Sequence, residues 1–287
     1  MIRRPAETPV TRRDMIEIHV NAKATQVPAS TTLLGLRHAK KSDADVVIHN
    51  GFPVAGDVAL SPGDEVTLIR RGEIPSHDEL EALLVARHGP GVHAKLKLAH
   101  VGIAGCGGLG STLAVALARS GVGTLTLVDF DLVEPSNLNR QQFFVDQIGL
   151  PKTLALTANL LRINPYVKIA SHQLRITAVD VARLFGSSSI VAECFDNPSA
   201  KAELSRAMRL DLPAIPLVGV SGIAGYGPAS AIRSRRVFRN HFLIGDGVTA
   251  AAPGRGLLAP KVTVAAGYQA NVIVRLLLQV ISPNEGE

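Results

Sequence analysis

The sequence predicts an α/β protein: a doubly wound, mostly parallel sheet with helices on both faces, preceded by a small α+β domain. Three observations carry this. From residue 99 onward, short apolar runs of strand length alternate with helix-length segments. A glycine-rich turn, Gly105-Cys106-Gly107-Gly108-Leu109-Gly110, joins the first of those strands to the first of those helices. Residues 15–73 instead hold several short strands around one short helix. A length of 287 residues suits two domains at about 150 residues each.

Composition narrows the class. Apolar residues are 46% and charged residues 19%, which excludes disorder of the whole chain. Aromatics are 4% and tryptophan is absent, so Leu, Ile, Val and Ala must build the core. Two cysteines, Cys106 and Cys194, make neither a disulfide framework nor a four-cysteine zinc site by themselves. That usage fits a reducing compartment, the cytoplasm. The net charge of +6 suits an anionic ligand such as a nucleotide. The basic residues are spread along the chain, so no nucleic-acid partner is expected. No apolar run reaches the ~18 residues of a transmembrane helix, and Met1 to Glu7 lack the apolar core of a signal peptide.

The elements follow in order. Residues 1–14, with Pro5 and Pro9 and no period, read as a flexible tail. Ile16 to Val20 alternates like a half-buried strand. Ser30-Thr31-Thr32 opens a short helix carrying Leu33, Leu34 and Leu36. Val46 to His49 is a strand before the Asn50-Gly51 turn, and Glu65 to Arg70 alternates again after Pro62-Gly63-Asp64. Ser76-His77-Asp78-Glu79 spells a capping box for a helix that ends at Gly89. Residues 74–98 therefore form a helical connector. Beyond it come a strand at His100–Ala104, a helix at Ser111–Ser120 and a strand at Leu125–Val128. A helix at Pro151–Ile163 and a short one capped by Thr177 follow. Then come a strand at Ile190–Ala192, a helix at Pro198–Met208, a strand at Ile215–Val218 and a final helix at Val262–Val280.

The glycine turn carries the first chemistry. Gly105 permits the tight turn, Gly107 lets the backbone approach a phosphate, and Gly110 lets the helix sit close to the strand. The amides at the helix start face an anion. Asp129 ends the next strand, near the ~20-residue offset where an acid accepts from ribose hydroxyls. Together these describe a Rossmann-like nucleotide site.

A dinucleotide dehydrogenase would need no more, but this sequence continues. Asp131-Leu132-Val133-Glu134-Pro135 leads into Ser136-Asn137-Leu138-Asn139-Arg140-Gln141, a polar run where the strands end. Arg140 offers a planar fork of donors suited to phosphate. Cleaving a triphosphate uses such a cluster, because charge builds on the leaving pyrophosphate; alone, the run reads more readily as a solvated loop with one arginine. Lys152 opens a helix, where its charge opposes the dipole and a bound phosphate would compensate; a water-facing lysine is the alternative. Asp196 stands at a strand's carboxyl end, where Mg²⁺ takes one or two carboxylates plus phosphate oxygens. Its alternative role is to cap the helix begun by Pro198.

These four stretches, GCGGLG at 105–110, LVDFDLVEPSNLNRQ at 127–141, GLPK at 149–152 and FDN at 195–197, make residues 99–287 resemble the ThiF/MoeB/HesA family. These are the bacterial relatives of ubiquitin-activating enzymes. The resemblance implies an adenylyltransferase that uses MgATP on the C-terminal carboxylate of a β-grasp carrier protein. It implies phosphate contacts from Gly108 and the following amides, and ribose contact from Asp129. It also implies that Ser136, Asn137, Leu138, Asn139, Arg140 and Lys152 hold the phosphates. Asp196 would hold Mg²⁺, with Asn197 near the adenine. A homodimer is implied as well, with Arg87 a candidate to reach the partner's phosphates.

Residues 15–73 resemble ThiS, the β-grasp (ubiquitin-like) sulfur carrier of thiazole synthesis, through strand order and Ser61-Pro62-Gly63-Asp64-Glu65-Val66. Together the two resemblances imply a ThiF-like enzyme with a fused ThiS-like domain, expected to act in thiamine biosynthesis on a ThiS-like carrier. Two departures matter. Arg71-Gly72-Glu73 runs on into the connector instead of ending in a free Gly-Gly carboxylate. The C-x-x-C pairs that bind zinc in many members are missing, so no zinc is expected. The alternatives are an NAD-dependent oxidoreductase on the same fold, and a non-catalytic ATP-binding module that docks carriers.

Overall fold

The structure, a computed structural model, describes residues 14–280. Most of the segment read as a tail lies outside them. The chain forms two compact units, divided between Ala94 and Lys95.

The first unit holds β1 (Met15–Val20), β2 (Lys23–Pro28), α1 (Leu33–Lys40), β3 (Val46–His49), β4 (Phe52–Pro53), β5 (Glu65–Ile69) and α2 (His77–His88). Its sheet order is β2-β1-β5-β3-β4, with β1 and β5 parallel and the other pairs antiparallel. Sequence periodicity missed β2 because only Val27 in it is buried. The β1–β2 turn is Asn21-Ala22, both at positive φ (47° and 60°), as a twisted two-residue hairpin demands. Asn21 fixes the turn by accepting from Leu68 N at 2.8 Å. The core joins Ile18, Val27, Leu33, Leu36, Val47, Val66 and Leu68, so the alternation in β1 and β5 faces one side as read. Thr32 caps α1, and Ser76 with Glu79 forms the full capping box of α2.

α3 (Pro90–Leu98) crosses the division. The second unit runs β6 (His100–Ala104), α4 (Gly108–Arg119), β7 (Thr124–Asp129), α5 (Lys152–Ile163), β8 (Lys168–Gln173), α6 (Val181–Phe185), β9 (Ile190–Glu193), α7 (Pro198–Asp211), β10 (Leu217–Val220), β11 (Arg233–Phe238), β12 (His241–Gly245) and α8 (Ala259–Leu277). The sheet order is β11-β12-β10-β9-β6-β7-β8, parallel except for the edge strand β11. The chain winds outward from β6 in both directions, so the switch point lies between β6 and β9. Three strands escaped the sequence reading. β8 and β11 are edge strands with little buried surface, and β12 follows an arginine-rich run that masks it. β10 begins two residues later than read, after Ile215-Pro216. α4 starts at Gly108, inside the glycine turn, rather than at Ser111. Among the described residues no helix is long and apolar enough to cross a membrane.

Candidate functional site

β6 is buried along almost its whole length and delivers the chain to Gly105, whose φ of +94° turns it sharply. Gly110 earns its place by contact: a Cβ there would stand 1.8 Å from Gly105 O. Gly107 is the N-cap of α4, and a Cβ on it would meet nothing closer than Gln141 Nε2 at 3.9 Å. One glycine is needed for packing, the other leaves open space in front of the helix N-terminus.

Asp129 ends β7 and is buried. Its Oδ2 accepts from Cys106 N at 2.6 Å and its Oδ1 from Asp131 N at 2.8 Å. The acid therefore ties the glycine turn to the β7 exit. Burial pushes its carboxyl above the usual range, against the pull of those two amides and of Lys152. Cys106 and Cys194 are free and fully buried; burial pushes both thiols up, so they stay protonated.

Lys152 is not a water-facing lysine. It is buried at the first turn of α5, with Nζ 2.8 Å from Asp131 Oδ2. Asp131 thus offsets the cation that the helix dipole disfavours. Ser136, Asn137, Leu138 and Asn139 are not among the residues that line the cavity. They form a 3-10 turn at Pro135–Asn137 and its exit, fastened by Glu134 N donating to Asn137 Oδ1 at 3.0 Å. This turn holds Arg140, which donates to Asn139 Oδ1 at 2.8 Å and Ser136 O at 3.2 Å. Gly110 is likewise absent from the wall.

The cavity at the carboxyl ends of the strands has a volume of about 790 Å³. Gly105, Gly107, Gly108, Asp129, Asp131, Arg140, Lys152, Asp196 and Asn197 all line it. Asn197, not Asp196, caps α7, accepting from Ser199 N at 2.9 Å and Ala200 N at 3.1 Å. Asp196 is exposed to the cavity, with no side-chain bond among the described residues. It is thereby available to a cation. Among the described residues no group of three or more His, Cys, Asp and Glu could hold a metal. The arrangement fits an ion such as Mg²⁺ that borrows most of its oxygens from phosphate and water. Arg87 is exposed in the last turn of α2.

Sequence reasoning missed three features. Gln141 is buried on the wall, and its Oε1 has no partner among the described residues. Its place directly after Arg140 was the available signal. The buried Glu193 forms an ion pair with the partly buried Lys201 behind the Asp196 turn. Burial pushes the Glu193 carboxyl up, against the Lys201 ammonium. The opposite wall comes from Ser221-Gly222-Ile223-Ala224 and from Thr249 to Ala251. Asp246 braces it by accepting from Val248 N and Thr249 N, both at 2.8 Å.

Known proteins resemble both units. Residues 81–286 match the ThiF family and residues 16–72 match ThiS-like ubiquitin. The molybdopterin-synthase adenylyltransferase of Salmonella typhimurium is 32% identical over 197 residues, spanning 67% of this chain and 78% of that one. The ubiquitin-like modifier-activating enzyme 5 of Drosophila melanogaster is 37% identical over 127 residues, 40% of this chain and 31% of that one. Among solved structures, the Escherichia coli tRNA N6-threonylcarbamoyladenosine dehydratase in complex with ATP superposes with a TM-score of 0.63 at 23% identity. That match covers 72% of this chain and 98% of the other, and it speaks to the fold. The chain belongs to the ThiF family, carries a ThiS-like ubiquitin domain ahead of the family domain, and is an adenylyltransferase.

Proposed function

We propose that this enzyme uses MgATP to adenylate the C-terminal carboxylate of a ThiS-like sulfur carrier protein, in the formation of the thiamine thiazole in the cytoplasm. The observation that carries this is one cavity wall bearing the glycine turn, Arg140, Lys152 and an unpartnered Asp196. A carrier carboxylate oxygen attacks the α-phosphorus, the bond to the bridging oxygen breaks, and pyrophosphate leaves. The α4 amides, Arg140 and Lys152 meet the charge that accumulates on the leaving group. Asp129 takes the ribose and Asn197 sits toward the base. Asp196 would hold Mg²⁺, which would supply neutralisation of phosphate charge. The residues contribute position and electrostatics more than proton transfer. Family membership sets aside hydride transfer to NAD.

A separate carrier is favoured over the fused domain. We read residues 15–73 as the carrier-like domain, 74–98 as the connector and 99–287 as the adenylating domain. After β5 the chain turns at Gly72 (φ +84°) and is tied back on itself. Arg71 N donates to Asp45 Oδ2 at 3.0 Å, and Glu73 pairs with Lys41 at 3.3 Å. The internal exit offers no carboxylate and is not extended like a tail.

A homodimer is supported by apolar surface on the adenylating unit. Phe144, Val145, Ile148, Leu150 and Leu154 are exposed close together in sequence, and Leu161 lies two turns beyond Leu154 on the same face of α5.

The test is ATP–pyrophosphate exchange against purified carriers with free Gly-Gly ends. Arg140→Ala and Asp196→Ala should each lower exchange at least ~100-fold, as removal of charge-stabilising groups does. Rates within a few-fold of wild type in both variants would refute the assignment. Tight ATP binding with no exchange on any carrier would favour a docking module instead.

A further inference from the structure

We propose that Lys201 and Glu193 are positioning residues that set the Asp196 turn against the strand exit facing it, so that nucleotide and carrier carboxylate meet in register. The inference rests on the adenylation reading above.

β9 and β10 pair at only two positions, Leu217 with Val191 and Val218 with Ala192. Past these the strands part, β9 toward Phe195 and Asp196 and β10 toward Ser221 and Gly222, both on the cavity wall. Side chains fill the fork. Lys201 Nζ, from the first turn of α7, donates to Glu193 Oε1 at 2.8 Å, Glu193 Oε2 at 3.0 Å and Val220 O at 3.0 Å. Glu193 Oε1 also accepts from Phe195 N at 2.7 Å. Gln269, fully buried on α8, donates to Val218 O at 2.7 Å and Glu193 O at 3.3 Å. One ammonium therefore joins the exits of β9 and β10 to the helix that follows Asp196.

Lys201 lines the nucleotide cavity, and a lysine there invites assignment as a phosphate ligand. Its contacts argue otherwise: the ammonium already chelates both oxygens of Glu193 and donates to Val220 O, so its charge is engaged at the fork. An ion pair that buries its carboxylate contributes little net stability compared with an apolar replacement, so its presence at this fork calls for another reason. Orientation supplies one. A misplacement of about 1 Å between reacting groups can cost on the order of 100-fold in rate.

Lys201→Met keeps the stem and removes the donors. The expected result in exchange assays is a fall in kcat of about 100-fold with the KM for ATP within about 3-fold of wild type. Weakened binding of ATP and of inorganic tripolyphosphate by more than about 10-fold would make Lys201 a phosphate ligand and overturn the proposal. An unchanged kcat in a folded variant would also overturn it. If Lys201→Met does not fold, Glu193→Gln combined with Lys201→Met leaves no unpaired buried charge and should show the same split. If the wild type exchanges with no carrier, the adenylation reading fails by itself. A crystal structure of the variant then decides the inference: displacement of the Phe195–Asn197 turn by about 1 Å supports it, and superposition on the wild type refutes it.

Discussion

Lys152 Nζ and Asp131 Oδ2 stand 2.8 Å apart, the lysine buried and the aspartate half open to the cavity. The pair holds an ammonium at the N-terminus of α5, where the helix dipole alone would repel it. Lys152→Met should lower ATP–pyrophosphate exchange at least ~100-fold, because it removes the charge that the proposed mechanism sets against the phosphates. Asp131→Asn keeps the cation but loosens it, and should cost about 10-fold, chiefly in KM for ATP. Equal kinetics for both variants and the wild type would remove Lys152 from the phosphate site.

The two glycines should separate stability from binding. Gly110→Ala forces a Cβ into Gly105 backbone, and overpacking of this kind costs about 1–3 kcal/mol or more. Gly107→Ala meets open space in a conformation that alanine accepts. Thermal melts should show Gly110→Ala clearly destabilised without ligand. Gly107→Ala should melt like the wild type but lose the rise in melting temperature given by MgATP. A Gly107→Ala variant still fully protected by MgATP would mean that no phosphate approaches that turn.

Asp64 ties the carrier-like unit to solution pH. Burial acts to raise its pKa, but the Asn50 amide, the Ser61 amide and the His49 ring outweigh it, and the net direction is below the usual carboxylate value. An acid with a depressed folded-state pKa contributes stability above its unfolded pKa of about 4 and loses it as pH falls through the folded value. Asp64→Asn should therefore destabilise the protein at pH 7 by about 1–2 kcal/mol, and the difference should close below about pH 4. Denaturant melts of both proteins at several pH values would measure it. A difference that persists unchanged in acid would show that Asp64 acts through shape rather than charge.

The exposed leucines of α5 give the test of assembly. Leu154→Arg and Val145→Glu place charge on the apolar face without touching the core. Sedimentation should show a dimer for the wild type and a monomer for the double variant. A wild-type monomer at micromolar concentration would dismiss this face as the interface.

Local rules made much of this protein legible before any coordinates. Ser76 and Glu79 named the start of α2, and the glycine turn and Asp129, singled out by their spacing, are joined through Cys106 N. Arg140, Lys152 and Asp196 stand in short contiguous motifs, and all three line the same cavity. The edge strands β8 and β11 were not legible, since a strand that buries little of either face leaves a weak alternation.

The sequence by itself determined the elements that carry a strong local period and the residue types brought to one cavity. Tertiary structure decided what those residues do to one another. It fastened Arg140 to Ser136 O and Asn139 Oδ1. It gave the helix cap to Asn197 and so released Asp196. It joined Glu193 to Lys201 across eight residues and both to Val220 nineteen residues further on. Such partnerships depend on where separate strands end in space, and no periodicity along one chain segment encodes that distance.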